Sequence, residues 1–348
     1  MPKENAPVKK TAASTKKAAL PSRIGLYKPT QFLGHGAMGN VFLCHDESLN
    51  RMVVVKQMVQ TLYDQGSFVE RFEREARILS KLNHPTIVHP YALWQESDGQ
   101  YSLAMEFVYG KSLREILDKN PNPPLWAIME ILYQISSGLA EAHRYGVTHR
   151  DVKPANIMLD KDGRVRLLDF GVAHDENDGL DLTEDHAQLG TASYMSPEQI
   201  ADSSTITPAS DVFSIGIIAS EMLLRKNPFR GTSLAETFNN IQKKKIPAKA
   251  FAKETPKELV DFILQMLKKD PHKRPLSNDI AEFFSKMMRH YPRNMCPYMV
   301  EWANAALNGN ESTIEPAPYA EKKRLSFKTG LVTGSILASV VAITIYVI

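Results

Sequence analysis

The sequence predicts an α+β fold in two lobes, a small β-rich one and a larger helical one, followed by a single transmembrane helix. Three observations predict it. Between residues 27 and 105, short β-like runs such as RMVVVKQM alternate with turn residues around one strong helical pattern. Past residue 112 the apolar spacing turns mostly helical. From Gly330 to Ile348 no residue is charged.

The elements follow in chain order. Residues 1–26 are rich in Lys, Ala, Ser, Thr and Pro, with Lys3, Lys9, Lys10, Lys16, Lys17 and Arg23 against Glu4. Such a stretch lacks the apolar surface to offset its ordering entropy, so a disordered basic arm is expected, solvated or resting on anionic lipid. No apolar run follows to make it a secretory signal. The helix of the small lobe is expected over 68–82, where Phe72, Ala76 and Leu79 share one face and Asn83, His84 and Pro85 end it. Helices of the large lobe are expected over 128–143, 211–224 and 258–267, with a loop-rich centre over 148–199. A linker over 289–328 contains a candidate short helix near 297–307.

The last nineteen residues, at about 1.5 Å of rise each, span roughly 28 Å, the thickness of a bilayer's hydrocarbon core. Lys322, Lys323, Arg324 and Lys328 stand just before them, a cluster that stays on the cytoplasmic side. The expectation is a transmembrane helix over 329–348 with its folded partner facing the cytoplasm. Gly330, Gly334, Ala338 and Ala342 line one face with small side chains, which fits either a homodimer through close helix packing or the ordinary composition of membrane helices.

Composition excludes several classes. Lys and Arg total 42 against 39 Asp and Glu, a net charge of +3, too near neutral for a nucleic-acid binder recognised by bulk charge. Two cysteines, Cys44 and Cys296, make neither a disulfide scaffold nor a zinc ribbon.

Phosphate chemistry is written in the small lobe. Gly34, Gly36 and Gly39 form G-x-G-x-x-G ahead of Val41. A dinucleotide fold would continue into a helix, whereas here two β-like runs follow, so the glycines are expected in a strand–loop–strand hairpin. Lys56 ends a run of valines, where an ammonium needs a partner. Glu75 on the 68–82 helix is a candidate, and it is also one of several acids there that could simply be solvated, with Glu70 and Glu73.

Three further motifs complete the pattern. THRDVKPANIML carries His149, Arg150, Asp151, Lys153 and Asn156, RLLDFGVA carries Asp169, Phe170 and Gly171, and GTASYMSPEQ carries Gly190, Thr191, Ser196, Pro197 and Glu198. In order and spacing these resemble the eukaryotic-like protein kinases, particularly bacterial membrane-anchored Ser/Thr protein kinases, over residues 27–288. The resemblance implies a bilobed protein-kinase fold, ATP and Mg²⁺, and protein substrates bearing Ser or Thr, this chain among them, at a bacterial inner membrane. It implies that Asp151 handles the substrate hydroxyl, that Lys153 offsets charge at the γ-phosphate, and that Asn156 and Asp169 hold Mg²⁺. It implies a Lys56–Glu75 ion pair aimed at the phosphates, and an adenine site with Leu33, Val41 and Val54 as roof, Met158 or Leu159 as floor, and Met105 at the back. Glu106 and Val108 would supply the backbone hydrogen bonds.

Lys153 and the pair Gly190-Thr191 resemble the Ser/Thr type, with the Thr191 hydroxyl expected to bond Asp151 and Lys153. Arg150 is expected to meet either a phosphorylated Thr183 or Ser193, or one of the acids Asp175, Glu176, Asp178, Asp181, Glu184 and Asp185, unless these form a solvated loop. Asp211 is expected to hold the catalytic-loop backbone and Arg274 to pair with Glu198. Departures from the family pattern are Val54 for alanine, Phe213 for tryptophan and Ser196 for alanine. A catalytically silent scaffold of the same fold is the alternative. A small-molecule kinase is disfavoured by the Gly-Thr…Pro-Glu segment.

Overall fold

The computed structural model describes residues 20–36, 39–58, 66–97, 99–120, 122–170, 190–310 and 314–316. The expected basic arm and the transmembrane helix fall almost wholly outside the described residues. Among the described residues no helix is long and apolar enough to cross a membrane.

The small lobe is a five-stranded antiparallel sheet in the order β1-β2-β3-β5-β4, from Lys28–Gly36, Gly39–Asp46, Arg51–Met58, Pro90–Gln95 (β4) and Tyr101–Glu106 (β5). Alternation along the strands sorts their side chains. Phe42, Cys44, Val53, Val55 and Ala104 bury on one face with Ile24 and Tyr27. The opposite face carries Val41 across from Lys56, and Val54 across from Met105. Helix α1 (Gly66–Leu79) closes that face with Phe72, Ala76 and Leu79 buried, at the spacing the sequence sets. It begins two residues before the expected start and ends at Leu79, a turn short of 82, because Ser80 to Leu82 form turns rather than helix.

The chain crosses to the large lobe between Glu106 and Gly110. Strand β6 (Gly110–Ser112) pairs with β7 (Ile157–Asp160), and β7 with β8 (Val165–Leu167). Ser112 caps α2 (Leu113–Lys119) through a reciprocal capping box with Glu115, satisfying two backbone donors at the helix start. Helix α3 (Leu125–Arg144) lies in the lower core against α5 (Pro208–Leu224) and α8 (Ser277–Met287). Between them come α4 (Pro197–Ala201), α6 (Leu234–Lys243) and α7 (Lys257–Met266). Helix α5 is largely apolar and buried nearly end to end, so it is a core helix rather than a surface one.

Arg274 and Glu198 form a buried bidentate ion pair at 2.6 and 2.8 Å, as the sequence leads one to expect. Phe213, in the position of the family's tryptophan, is fully buried and stacks on Phe229 at 5.8 Å, with the Arg274 guanidinium 4.8 Å from its ring centre. The apolar bulk is kept and cations cover the ring faces.

Helix α9 (Cys296–Leu307) lies in the stretch read as linker, yet it packs on α2 and buries Met299, Trp302 and Ala306 in the lower core. Its start rests on the β7–β8 turn, where Gly163 has φ +80° and a Cβ would come within 2.2 Å of the Cys296 carbonyl oxygen. Only glycine fits that approach. Tyr298 meets the Trp126 ring edge-on at 6.4 Å. Because Trp302 is buried to 1% exposure, Trp302→Ala is expected to destabilise the protein by about 3–5 kcal/mol. Chemical denaturation checks this, and a shift within ±0.5 kcal/mol would show that α9 is only lightly held.

Candidate functional site

The site is assembled at the ends of strands and in the loop between α3 and β7. In the β1–β2 hairpin Gly36 faces Gly39, while Gly34 and Gly39 have φ of +153° and +147°. Among the described residues no atom lies within 4 Å of a Cβ built on Gly34, so the backbone there is left uncovered by them. Of the expected roof residues, Val41 and Val54 are half-buried and Leu33 is exposed. Of the two floor candidates, Leu159 joins the lower core, while Met158 is half-buried on the other side of β7. Val108 is buried, and the Glu106 amide donates to the His89 carbonyl at 3.0 Å. Behind Met105 a cavity of about 30 Å³ lies among Lys56, Phe72, Leu79 and Phe170, room for about one water.

Lys56 projects from β3 and pairs with Asp169. The sequence also leads one to expect a Lys56–Glu75 pair. Glu75 lies on α1, as the sequence places it, but its side chain is outside the described residues. Among the described residues, the carboxylate at the ammonium is the one that follows β8. Phe170 is buried against the α1 side chains Phe72 and Leu79 around the same cavity, and its ring lies 4.5 Å from that of His149.

The loop residues converge on Asp151. Its Oδ2 takes Lys153 Nζ at 2.8 Å and Asn156 Nδ2 at 2.8 Å, and Asn156 Nδ2 also donates to the Asp151 carbonyl at 2.9 Å. Lys153 Nζ reaches Thr191 Oγ1 at 3.2 Å. The expected tie from Thr191 to Lys153 is therefore present, and Asp151 is held by Lys153 and Asn156. The Leu168 amide donates to the Asn156 carbonyl at 2.9 Å, which sets Asp169 beside Asn156. Asn156 spends its amide nitrogen on Asp151, so its Oδ1 is the acceptor end. With the Asp169 carboxylate it makes a set of hard oxygen donors that fits Mg²⁺.

The loop is fixed from below by Asp211 on α5. Its carboxylate accepts the amides of His149 at 2.8 Å and Arg150 at 2.9 Å, and His143 Nε2 at 2.8 Å. His149 Nε2 meets the Leu168 carbonyl at 2.8 Å, a bonding and packing role. Burial pushes the Asp211 carboxyl up, but the bonds from the His143 ring and the His149 amide outweigh it and hold the group below the ordinary aspartate range. Glu198 is likewise held low: burial opposes ionisation, and the bonds from Arg274 and Ser210 win. The possible phosphate or acid partners of Arg150 between 172 and 189 lie outside the described residues. Ser193 is buried, with its Oγ bonded to the Gly190 carbonyl at 2.8 Å.

Two ion-paired groups were not anticipated. Arg166 pairs with Glu106 where the chain leaves β5, and Arg114 on α2 bonds Glu221 at 2.9 Å while Tyr194 donates to the same carboxylate. A signal for the second was present: Glu221 sits in an otherwise apolar helix, and a buried carboxylate there demands a cation.

Residues 27–286 match the protein kinase domain family. The chain is 36% identical over 265 residues to a probable serine/threonine-protein kinase of Streptomyces coelicolor, covering 74% of this chain and 39% of that protein. It is 36% identical over 252 residues to the serine/threonine-protein kinase PrkC of Bacillus subtilis, covering 72% and 38%. To the serine/threonine-protein kinase PknB of Mycolicibacterium smegmatis it is 37% identical over 254 residues, covering 71% and 40%. The chain thus spans well under half the length of these relatives.

The two depressed carboxyls set an acid limit. Unfolded, they titrate near 4; folded, they titrate lower, so their contribution to stability is complete above about pH 5 and is lost as pH falls through the folded values. Asp211→Asn, which turns an amide donor toward the loop's own N–H groups, is expected to cost about 1–3 kcal/mol at pH 7 and to make the acid limb shallower. Urea melts from pH 7 to pH 3 check both. An unchanged slope would mean that Asp211 carries no such linkage.

Proposed function

The chain belongs to the protein kinase domain family, and from that premise we propose that it is an ATP-dependent kinase of serine and threonine hydroxyls in proteins, itself among them. The observation that carries this reading is the bonded set Asp151, Lys153, Asn156 and Thr191 beside the Lys56–Asp169 pair. Phosphoryl transfer through a loose transition state asks mainly for positioning and for compensation of charge. Asp151 has one oxygen turned to Lys153 and Asn156, which orients the other to receive the proton of an incoming hydroxyl. Lys153, only 17% exposed, brings a poorly hydrated positive charge next to that aspartate, where the transferred group must pass. Thr191, bonded to Lys153, ties the platform ending in Pro197 and Glu198 to the reacting groups. That folded platform favours a polypeptide substrate over a small molecule. Lys56 would bind the nucleotide phosphates beneath the glycine hairpin. Asn156 Oδ1 and the Asp169 carboxylate would hold Mg²⁺, which when bound neutralises phosphate charge and polarises the transferred group.

With γ-labelled Mg·ATP and a general protein acceptor, label transfer is expected from the wild type. Asp151→Asn should lower kcat by about 10²–10⁴-fold with the KM for ATP little changed. Equal activity in the variant, or no transfer by the wild type, would favour the silent scaffold.

The reading also includes a cytoplasm-facing, single-pass membrane anchor at 329–348, supported by the uncharged run behind Lys322, Lys323, Arg324 and Lys328. The full chain is expected in alkali-washed membranes. Replacing Ile336 and Val340 together by Lys, at about 2.5–3.5 kcal/mol each, should move it to the soluble fraction. Wild-type chain found wholly soluble would remove the anchor.

A further inference from the structure

A cleft of about 610 Å³ opens on the large lobe between α2 and the loop joining α5 to α6. Three acids and three cations line it: Asp118, Glu221 and Glu236, with Arg114, Lys226 and Arg230. The acids are all engaged. Glu221 accepts from Arg114 and from the buried Tyr194 hydroxyl, and Asp118 lies 2.8 Å from Arg114. Burial pushes the Tyr194 phenol up, so it remains a donor. Glu236 accepts the amide and the hydroxyl of Thr232, each at 2.7 Å, and those bonds hold its carboxyl low. Arg114 is consumed by its two carboxylates. Lys226 and Arg230 are exposed and have no ion-pair partner among the described residues.

The surplus extends past the cleft. From Arg225 to Lys245 the chain carries Arg225, Lys226, Arg230, Lys243, Lys244 and Lys245 against Glu236 alone, in a protein whose net charge is only +3. Lys244 bonds the Pro228 carbonyl at 2.8 Å, so its charge stays on this face.

The cleft is joined to the reacting groups. Asn227, on its wall, donates to Ser193 at 3.1 and 3.2 Å, and Glu221 holds Tyr194. These two residues come just after Thr191, which touches Lys153 beside Asp151. Thr191 to Tyr194 is at most about 11 Å of extended chain, so a peptide with its hydroxyl at Asp151 has the cleft within reach of a few residues.

We propose that this cleft is a subsite for carboxylate side chains of the substrate, and that the chain prefers Ser or Thr set in acidic sequence. This rests on the kinase reading and deepens it. The sequence itself contains a stretch of that chemistry: residues 172–190 hold Asp175, Glu176, Asp178, Asp181, Glu184 and Asp185, no Lys or Arg, and Thr183 among the acids. Exposed cations such as these, with no ion-pair partner among the described residues, meet an incoming carboxylate at little desolvation cost, which gives selectivity by charge.

The test uses the full chain and the synthetic peptide GLDLTEDHAQL, residues 179–189, beside the same peptide with Asp181, Glu184 and Asp185 replaced by Asn, Gln and Asn. The acidic peptide is expected to have about tenfold or more higher kcat/KM, a difference of about 1.4 kcal/mol, carried mainly by KM and shrinking as salt rises. In Lys226→Glu/Arg230→Glu the ratio should fall to near one or invert. Lys226→Ala/Arg230→Ala, which removes charge without adding any, should lie between. Equal use of both peptides by an active wild type, or a preference that survives the charge reversal, would overturn the subsite while leaving the kinase reading intact. Failure to label any peptide or protein would instead overturn the kinase reading.

Discussion

One buried helix, α5, holds the site together through the few polar groups it carries. Asp211 at its first turn receives two consecutive amides of the loop that presents Asp151. Ser210 bonds Glu198, Ser214 bonds the Tyr194 carbonyl, and Glu221 at the far end takes the Tyr194 hydroxyl and Arg114. Apart from Ser220 the rest of the helix is apolar, so it is anchored by burial, and these polar groups project from a rigid base. The catalytic loop and the segment after Thr191 have little regular structure of their own. Their positions relative to each other are set because both are bonded to the same helix.

This explains which parts were legible beforehand. Hydrophobic spacing placed α1, α3, α5 and α7, since a buried stripe leaves a period in the sequence. The roles of Asp151, Lys153, Asn156 and Thr191 were legible through the resemblance of their motifs to the kinase family, since spacing alone names no role. The partner of Lys56 was harder. Asp169 reaches it from the other lobe, and that contact depends on how the lobes meet, which no local pattern encodes. Helix α9 was read within a linker. Its apolar positions Met299, Trp302 and Ala306 match a groove beside α2 that exists only once the lower lobe has folded. The Arg114–Glu221–Tyr194 cluster joins three distant segments. Glu221 alone announced that something must neutralise it.

The buried carboxylates follow one rule. Arg274 with Glu198, Arg114 with Glu221 and His143 with Asp211 are each paired and additionally hydrogen-bonded. Burying such pairs brings little net stability compared with apolar packing, because desolvation cancels much of the attraction. Their value here is directional. Each bond has an angle and a length, so the pairs fix where the polypeptide platform sits, while the surrounding apolar core only fixes that it is covered. By contrast, the cations Lys226 and Arg230 of the α5–α6 loop are exposed and have no ion-pair partner among the described residues. Charge that shapes the fold is matched, while these cations are left in water.

Two residues at the site are held in left-handed backbone without being glycine: Arg150 at φ +67° and Asp169 at φ +53°. Such conformations cost of order 1 kcal/mol or more each and persist only where the surroundings over-determine them. For Arg150 the cause is visible, because its amide is fixed by Asp211 and its carbonyl accepts Gln199 Nε2 at 2.7 Å. Those bonds come from α5 and α4, so the strain is offset by elements outside the loop. For Asp169 the neighbours do the same from both sides: the Leu168 carbonyl is bound by His149, and Phe170 is buried beneath α1. Between these two fixed points the chain turns its carboxylate outward to Lys56. Glycine at 169 would adopt the same backbone more easily, but it would carry no oxygen. The strain is therefore tied to having a charged side chain at a position whose backbone favours none.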